Sequence, residues 1–435
     1  MQRVCLQRYG YKGMASLNIS SGFSESALAG RLNRLVDFAP VLIALLLALV
    51  VSSVLLLALN ANPFEAFDFM LKGAVGSENA TAETLVKATP ILFVGIGITI
   101  AFRGGMINIG GEGQMIAGAL AGVTVALVLG EARVPAEMAK TPGAFDLIIV
   151  TCSLLGGFLM GALYGGLAGF LKAYFDVNEI LSTIMLNQIA VQMMNFLLNG
   201  ILLDPAEAGF NNIPKTARLV TAAQLPRLSL PIGDPWLFAR TRLHWGLIIA
   251  MVLAVIIYIF LWRTSWGYRI RAVGENQRAS SYAGINVKRQ MMFSMFLAGG
   301  FAGLAGVVQV LGLQYRLQTD GSPAGFTGAA GFNGIVAALF GGLNPIGAIP
   351  AAAFFGGLLV GAQKMQRELG VPASLITAVN GLIVVFVVSS EIFILQRSKR
   401  RVSEGEDETP SPNPSSKMRE GLSPTEDENS GEGDG

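Results

Sequence analysis

Residues 102–122 read FRGGMINIGGEGQMIAGALAG and separate two apolar runs, 85–100 and 115–129. Each run is about long enough to cross a bilayer. The glycines between them disfavour a continuous helix by about 1 kcal/mol each relative to alanine. Broken backbone carrying polar side chains is tolerated at membrane depth only inside protein or beside a water-filled cavity. The stretch therefore predicts part of a solute pathway. The alternative is an ordinary loop at the membrane surface, with Glu112 hydrated.

The composition is that of a polytopic membrane protein. Of 435 residues, 52% are hydrophobic and 14% are charged. The formal net charge of +2 gives no reason to expect a nucleic-acid partner. Two cysteines and one histidine, His244, predict neither a disulfide framework nor a metal site. The chain has no P-loop motif, so we expect no catalytic residues and no cofactor of its own; ATP would be hydrolysed by another chain.

The hydropathy pattern predicts an all-α membrane protein, a helical bundle of about ten transmembrane helices with glycine-rich breaks. A cytoplasmic tail, 1–35, precedes the membrane domain, 36–395, and a disordered acidic cytoplasmic tail, 396–435, follows it. The positive-inside rule places loop 263–289 in the cytoplasm and loop 200–244 outside. The predicted spans are 39–59, 85–102, 114–129, 147–171, 180–199, 245–262, 291–313, 328–343, 346–364 and 373–395.

The span 328–343 has a short apolar core, and a re-entrant hairpin is the alternative. A full crossing is favoured because it keeps both termini and loop 263–289 on the cytoplasmic side. The span 147–171 carries glycines at four-residue spacing, which predicts close helix packing: Gly157, Gly161, Gly165 and Gly169.

Amide side chains cluster on the span 180–199. Asn187 lies on one helical face, and Gln188 and Gln192 lie on the adjacent one. Because amides suit a lipid-facing surface poorly, they predict a polar pathway lining; interhelical hydrogen bonding is the alternative. Amides without buried charges favour an uncharged solute, and no lysine or arginine stands out within the spans.

Loop 263–289 predicts a short helix with two defined ends. Asn276 is a suitable N-cap, Ala279 and Ala283 lie on later turns, and Gly284 suits a left-handed position past the C-terminus. A helix this short is unstable alone, which favours docking on another protein. The alternative is a basic loop that anchors to lipid. For loop 200–244, docking of an external partner and an inert surface loop both stay open.

Three segments together resemble a known family. They are RGGMINIGGEGQM at 103–115, RAVGENQRASSYAGI at 271–285 and GFNGIVAALFGGLNPIGAI at 331–349. They resemble the permease subunits of bacterial ABC importers in the ribose and branched-chain amino-acid group, most closely its nucleoside-type, simple-sugar-like branch. Residue Gly111 departs from the family pattern, in which a larger residue is usual.

The resemblance implies a multi-pass subunit of the bacterial cytoplasmic membrane that imports a nucleoside, with purine nucleosides expected. It also implies partners: a second permease, more as a heterodimer than a homodimer, two cytosolic ATP-binding cassette subunits and an extracytoplasmic substrate-binding lipoprotein. A monosaccharide or branched-chain amino acid is the alternative substrate, and an ion-coupled secondary transporter is the alternative class.

Two sets of residues carry these expectations. The expected substrate pathway comprises Asn108, Glu112, Gln114, Asn187, Gln188, Gln192, Phe332 and Asn333. The expected coupling helix, 274–284, and its surroundings would contact the ATPase through Arg271, Gly274, Glu275, Asn276, Ala279, Ala283 and Gly284.

Overall fold

A computed structural model shows an all-helical membrane domain. The structure describes residues 46–47, 49–58, 61–131, 144–207, 213–229, 238, 240–319 and 321–370, together with the single positions 378, 381, 382 and 385. The predicted tails 1–35 and 396–435 lie outside the described residues, as does nearly all of the predicted span 373–395.

The helices follow the order expected from hydropathy, and no strand occurs in the described ranges. They are α1 (Leu49–Ala58), α2 (Pro63–Val75), α3 (Glu78–Arg103), α4 (Gly111–Glu131), α5 (Ala144–Phe175), α6 (Glu179–Leu198), α7 (Gly246–Arg263), α8 (Ser265–Glu275), α9 (Gln277–Tyr282), α10 (Val287–Gln309), α11 (Pro323–Thr327), α12 (Ala330–Phe340) and α13 (Ala348–Leu369). A π-helical turn, Val310–Gln314, extends α10.

Seven of the described helices are long and apolar enough to cross a membrane, and α1 with α2 make an eighth if this bent pair is one span. The predicted count of about ten is therefore not confirmed. The eighth predicted crossing, 328–343, needs correction. The helix found there, α12, has 11 residues, about 16 Å at 1.5 Å per residue, against a hydrocarbon thickness of about 30 Å. It is too short to cross alone.

The centre of the bundle is formed by α3 and α10, and α4, α5, α12 and α13 pack around them. Glycines allow the closest of these contacts. A Cβ on Gly299 of α10 would lie 2.3 Å from the Gly161 carbonyl oxygen of α5, and one on Gly161 would lie 2.4 Å from that of Gly299. The predicted packing role of the α5 glycine stripe is confirmed, because the backbones of α5 and α10 are in contact at positions that a side chain would otherwise occupy.

The two ends of the bundle differ. At one end, which we name the loop end, the segment 213–229 pairs with the backbone beyond α10: Thr216 N–H donates to the Leu317 carbonyl and Leu219 N–H to that of Tyr315. Arg242 also binds Glu83 of α3 through two hydrogen bonds of 2.8 and 2.7 Å. The opposite end, the α9 end, carries α8 and α9. The described part of loop 200–244 is therefore held on the bundle.

Candidate solute pathway

The segment between α3 and α4 turns back into the bundle. Its start, at Arg103, lies at the α9 end, because a Cβ on Gly274 of α8 would lie 2.1 Å from the Arg103 carbonyl oxygen. Its end, at Gly111, lies beside Val94. Because Val94 precedes Arg103 by nine residues on α3, Gly111 lies about 13 Å further into the bundle than Arg103. The predicted break thus lies inside the protein and not in a surface loop.

Two buried amides hold this break. Asn108 Nδ2 donates to Gln114 Oε1 at 2.9 Å, and Gln114 Nε2 donates back to Asn108 Oδ1 at 3.0 Å. Asn108 Oδ1 also accepts the Gly110 N–H at 2.9 Å. Both residues are buried. Each amide donates a hydrogen bond to the other, so the pair joins the start of α4 to the segment before it.

The Glu112 carboxylate lies where the N-termini of α4 and α12 meet. Its Oε1 accepts the Phe332 backbone N–H at 3.1 Å, and Gly331 and Thr327 also interact with the carboxylate. A Cβ on Gly331 would lie 2.5 Å from the Glu112 backbone nitrogen, so only glycine permits this approach. Helix N-termini stabilise negative charge. The other oxygen, Oε2, is buried without a hydrogen-bond partner.

The amides of α6 divide into two groups. Asn187 is half-buried: its Oδ1 accepts the Gly113 N–H at 2.8 Å and its Nδ2 donates to the Ile109 carbonyl at 3.0 Å. Interhelical hydrogen bonding, the alternative raised by the sequence, thus describes Asn187. Gln188 and Gln192 lie exposed one turn apart on the open side of α6. A membrane span therefore presents two exposed amides.

The first turn of α12 presents an aromatic side chain next to Glu112. Phe332 is 55% exposed, although its backbone N–H binds the carboxylate. Asn333 is half-buried and donates to the Ala329 carbonyl of its own segment at 2.9 Å. Of the eight predicted pathway residues, Glu112, Phe332, Gln188 and Gln192 retain groups that no protein partner occupies.

The predicted coupling residues also divide. Arg271 donates to the Leu261 carbonyl at 3.0 Å and stacks on Trp262, and Gly274 packs on Arg103, so both join α8 to the bundle. The others lie on the exposed surface: Glu275, Asn276, Ala279, Ala283 and Gly284. The Asn276 Oδ1 accepts the Ala279 N–H at 3.0 Å, and Gly284 has φ of +77°. Both predicted ends of α9 are confirmed.

One charged residue was missed. Lys87 lies in the first turn of the predicted span 85–102, a position typical of a flanking residue. Because α3 begins at Glu78, Lys87 is nine residues inside the helix, and it lines a small cavity with His244, Gln309 and Thr327. The expectation that no lysine or arginine stands out within the spans is therefore wrong. The helix start at Ser77, which caps α3 through the Ala80 N–H, was the available signal.

The sequence comparisons identify the family. The family described as "branched-chain amino acid transport system / permease component" matches residues 80–388, which is most of the chain. The chain belongs to this permease family. The permease is 35% identical to the guanosine ABC transporter permease protein NupP of Bacillus subtilis over 365 residues, 83% of this chain and 96% of that protein.

Two further relatives cover similar lengths. The permease is 33% identical to the glucose ABC transporter permease protein TsgB13 of Haloferax volcanii, over 81% of this chain and 87% of that protein. It is 30% identical to the nucleoside ABC transporter permease protein NupB of Lactococcus lactis, over 85% of this chain and 95% of that protein. No match to a solved structure was found.

Proposed function

We propose that this permease forms the membrane pathway of an ATP-driven nucleoside importer in the bacterial cytoplasmic membrane. The observation that carries the substrate class is the similarity to NupP and NupB, two permeases named for guanosine and nucleoside transport, over more than four-fifths of the chain. Both termini lie in the cytoplasm, together with α8 and α9, and the loop end faces outward.

The geometry around Glu112 supports a polar, uncharged solute. The carboxylate has one unpartnered oxygen, which can accept a hydrogen bond from a ribose hydroxyl or a nucleobase N–H. Phe332 beside it offers an exposed ring on which a base can stack. Gln188 and Gln192 on the open side of α6 extend the polar surface. Asn108, Gln114, Asn187 and Asn333 support this lining by holding the backbone behind it.

The same relatives support the proposed second permease. Bacillus subtilis and Lactococcus lactis each have a second similar permease, NupQ and NupC, at 30% and 29% identity. A heterodimer with a homologous permease is therefore part of the proposal, with the open side of α6 turned to the shared pathway. Of two ATP-binding cassette subunits, one binds at α9 and the other at the second permease, and an extracytoplasmic lipoprotein delivers the solute at the loop end. ATP binds to those subunits and not to this chain.

The test is uptake by the complete transporter, purified through a tag on this chain and reconstituted into liposomes. We expect uptake of labelled guanosine that requires ATP and persists when an ionophore collapses ion gradients. Uptake that stops with the ionophore while ATP is held constant supports an ion-coupled carrier. Glucose uptake without nucleoside uptake supports the sugar class, for which the similarity to TsgB13 is the argument.

A variant links the uptake to the carboxylate. Glu112→Gln keeps an oxygen for the Phe332 N–H but removes the charge, so we expect uptake to fall about tenfold, as hydrogen bonds to charged groups contribute about 1.5–3 kcal/mol. Glu65→Gln, an exposed carboxylate on α2, is the control and should transport normally. Equal uptake by both variants would remove Glu112 from the pathway.

A further inference from the structure

Lys87 lines a small cavity, the Lys87 cavity, between α3, α10 and the α11–α12 connection. Its volume is about 20 Å³, and its other polar lining residues are His244, Gln309 and Thr327. The remaining wall is largely apolar, formed by residues such as Val86, Ile91 and Leu313. A space of this size holds about one water molecule. A nucleobase would enter only if the lining residues moved apart.

The polar groups in this cavity are incompletely paired. Among the described residues, none accepts a hydrogen bond from the Lys87 ammonium group. Glu83, one turn away, is already bound by both Nε and Nη2 of Arg242. Gln309 Nε2 donates to the Phe326 carbonyl at 2.5 Å, which fixes the amide orientation, and Gln309 Oε1 is buried without a partner. The cavity thus offers a charged donor and a neutral acceptor.

The backbone around the cavity is irregular on three sides. Pro90 lies inside α3 and lacks the N–H that would bind the Val86 carbonyl. The π-helical turn Val310–Gln314 follows Gln309 directly. Gly328 and Ala329 are consecutive left-handed residues, with φ of +61° and +60°, between α11 and α12. A left-handed alanine costs about 1 kcal/mol, so the α11–α12 connection is a strained segment beside the cavity.

The cavity adjoins the Glu112 carboxylate. Thr327 lines the cavity and also interacts with Glu112. Along α3, Lys87 lies seven residues from Val94, whose side chain approaches Gly111, so the backbone positions of Lys87 and Val94 are about 10 Å apart along the helix axis. Thr327 joins the cavity to the carboxylate, so one solute can contact both.

We propose that the Lys87 cavity is the closed form of a nucleobase subsite that selects bases with a lactam edge, a ring carbonyl next to a ring N–H. This inference rests on the proposed function. The ammonium of Lys87 can only donate and prefers a carbonyl oxygen, while Gln309 Oε1 can only accept and takes the ring N–H. Guanine, hypoxanthine and uracil present this pattern. Adenine and cytosine present the reverse, an exocyclic amine next to a ring nitrogen acceptor. The strained α11–α12 connection moves to admit the base.

The test is competition in the reconstituted transporter. Uptake of labelled inosine is measured against unlabelled guanosine, uridine, adenosine and cytidine. For the wild type we expect the lactam nucleosides to compete at least tenfold better than adenosine and cytidine. Lys87→Met should reduce this ratio about tenfold, and Lys87→Arg, which keeps charge and donors, should retain it. Lys72→Met is the matched control, because it removes an exposed lysine of α2 that pairs with Asp68.

A second variant keeps the test decisive if Lys87→Met does not fold or transport. Gln309→Leu removes the unpartnered acceptor and should also lower the lactam preference. An unchanged ratio in the transporting variant, or a wild type that imports nucleosides without preference, overturns the inference and leaves the proposed function standing. A wild type that imports no nucleoside overturns the proposed function itself.

Discussion

At the scale of single residues, buried polar groups near the break have two different uses. Asn108 and Gln114 satisfy each other, and Asn187 satisfies the backbone of the break, so these amides fix geometry. Glu112 and Gln309 each keep one buried oxygen without a partner. An unpaired buried polar atom costs about 1–3 kcal/mol, and in the proposed function a solute group that bonds either oxygen removes this cost.

The Asn108–Gln114 pair predicts a stability effect. Asn108→Leu removes both reciprocal hydrogen bonds and leaves the Gln114 amide buried without a partner, so we expect a loss of about 1–3 kcal/mol. Gln188→Leu, an exposed amide, should change stability by less than about 0.5 kcal/mol. Thermal unfolding in detergent measures both. Equal midpoints for the two variants would show that the reciprocal pair does not hold the break.

His244 predicts a pH effect. Burial lowers its pKa to about 4, and its Nδ1 accepts the Gly246 N–H at 3.1 Å. The folded state therefore keeps His244 neutral, while the unfolded chain takes up a proton near pH 6.5. Proton uptake by the unfolded chain therefore lowers the free energy of unfolding by about 3 kcal/mol in total as the pH falls from 6.5 towards 4. Above pH 6.5 this loss of stability is absent. His244→Asn, which retains an acceptor for Gly246, should lose less stability over that range in thermal unfolding; parallel curves contradict this.

The sequence allowed the residue types at the pathway to be predicted, but not their partners. Spacing on α6 placed Asn187 correctly apart from Gln188 and Gln192, because helical geometry alone decides which residues share a face. Whether an amide meets a neighbouring backbone or stays exposed depends on helix packing, which spacing does not specify. Lys87 was missed for a related reason, since its depth depends on where α3 begins.

At the scale of elements, glycines set how closely the central helices approach. The pairs on α5 and α10 bring two backbones into contact, and the Gly274–Arg103 contact does the same between α8 and α3. Such contacts are read well from sequence when the stripe is regular. The length of α12 could not be predicted from the sequence. The turn at Gly341–Gly342 and the left-handed Ala329 interrupt an apolar run whose hydropathy is continuous.

The α5 stripe predicts a difference between two glycines of the same helix. A Cβ on Gly161 would lie 2.4 Å from the Gly299 carbonyl oxygen, which is backbone and cannot rotate away. A Cβ on Gly156 would meet only the Val125 side chain, at 3.2 Å. Gly161→Ala should therefore destabilise the bundle by about 1–3 kcal/mol, and Gly156→Ala by little. Similar unfolding midpoints in detergent would contradict the packing described for α5 and α10.

The α9 cap predicts a loss of coupling. Asn276→Ala removes the bond to the Ala279 N–H, which costs a short helix about 1 kcal/mol, whereas Asn276→Asp retains a good cap. In the reconstituted transporter, Asn276→Ala should lower uptake several-fold while ATP hydrolysis continues, and Asn276→Asp should behave as wild type. The ratio of nucleoside imported to ATP hydrolysed is the readout. Unchanged uptake in Asn276→Ala would show that α9 does not transmit the ATPase motion.

At the scale of the whole molecule, the polar features lie at successive levels along α3 in an apolar bundle. The Lys87 cavity lies toward the loop end, Glu112 lies between the N-termini of two helices, and α9 lies at the opposite end. Broken helices at a midplane site are a general feature of transporters. The fold class and the break were accessible from sequence because hydropathy and glycine content encode them locally. The number of membrane crossings could not be predicted from the sequence, because it depends on how short helices join.

The central claim is that a nucleoside passes Glu112 and Phe332. The most direct measurement is protection of an introduced cysteine: Phe332→Cys in a chain whose Cys5 and Cys152 are replaced by serine, labelled with a soluble maleimide in the reconstituted transporter during ATP-driven guanosine uptake. Ile201→Cys, at an exposed position after α6 at the loop end, is the control. We predict that guanosine slows labelling of Phe332→Cys at least several-fold and leaves Ile201→Cys unaffected. Equal labelling of Phe332→Cys with and without guanosine, in a transporter that imports it, would contradict the pathway described.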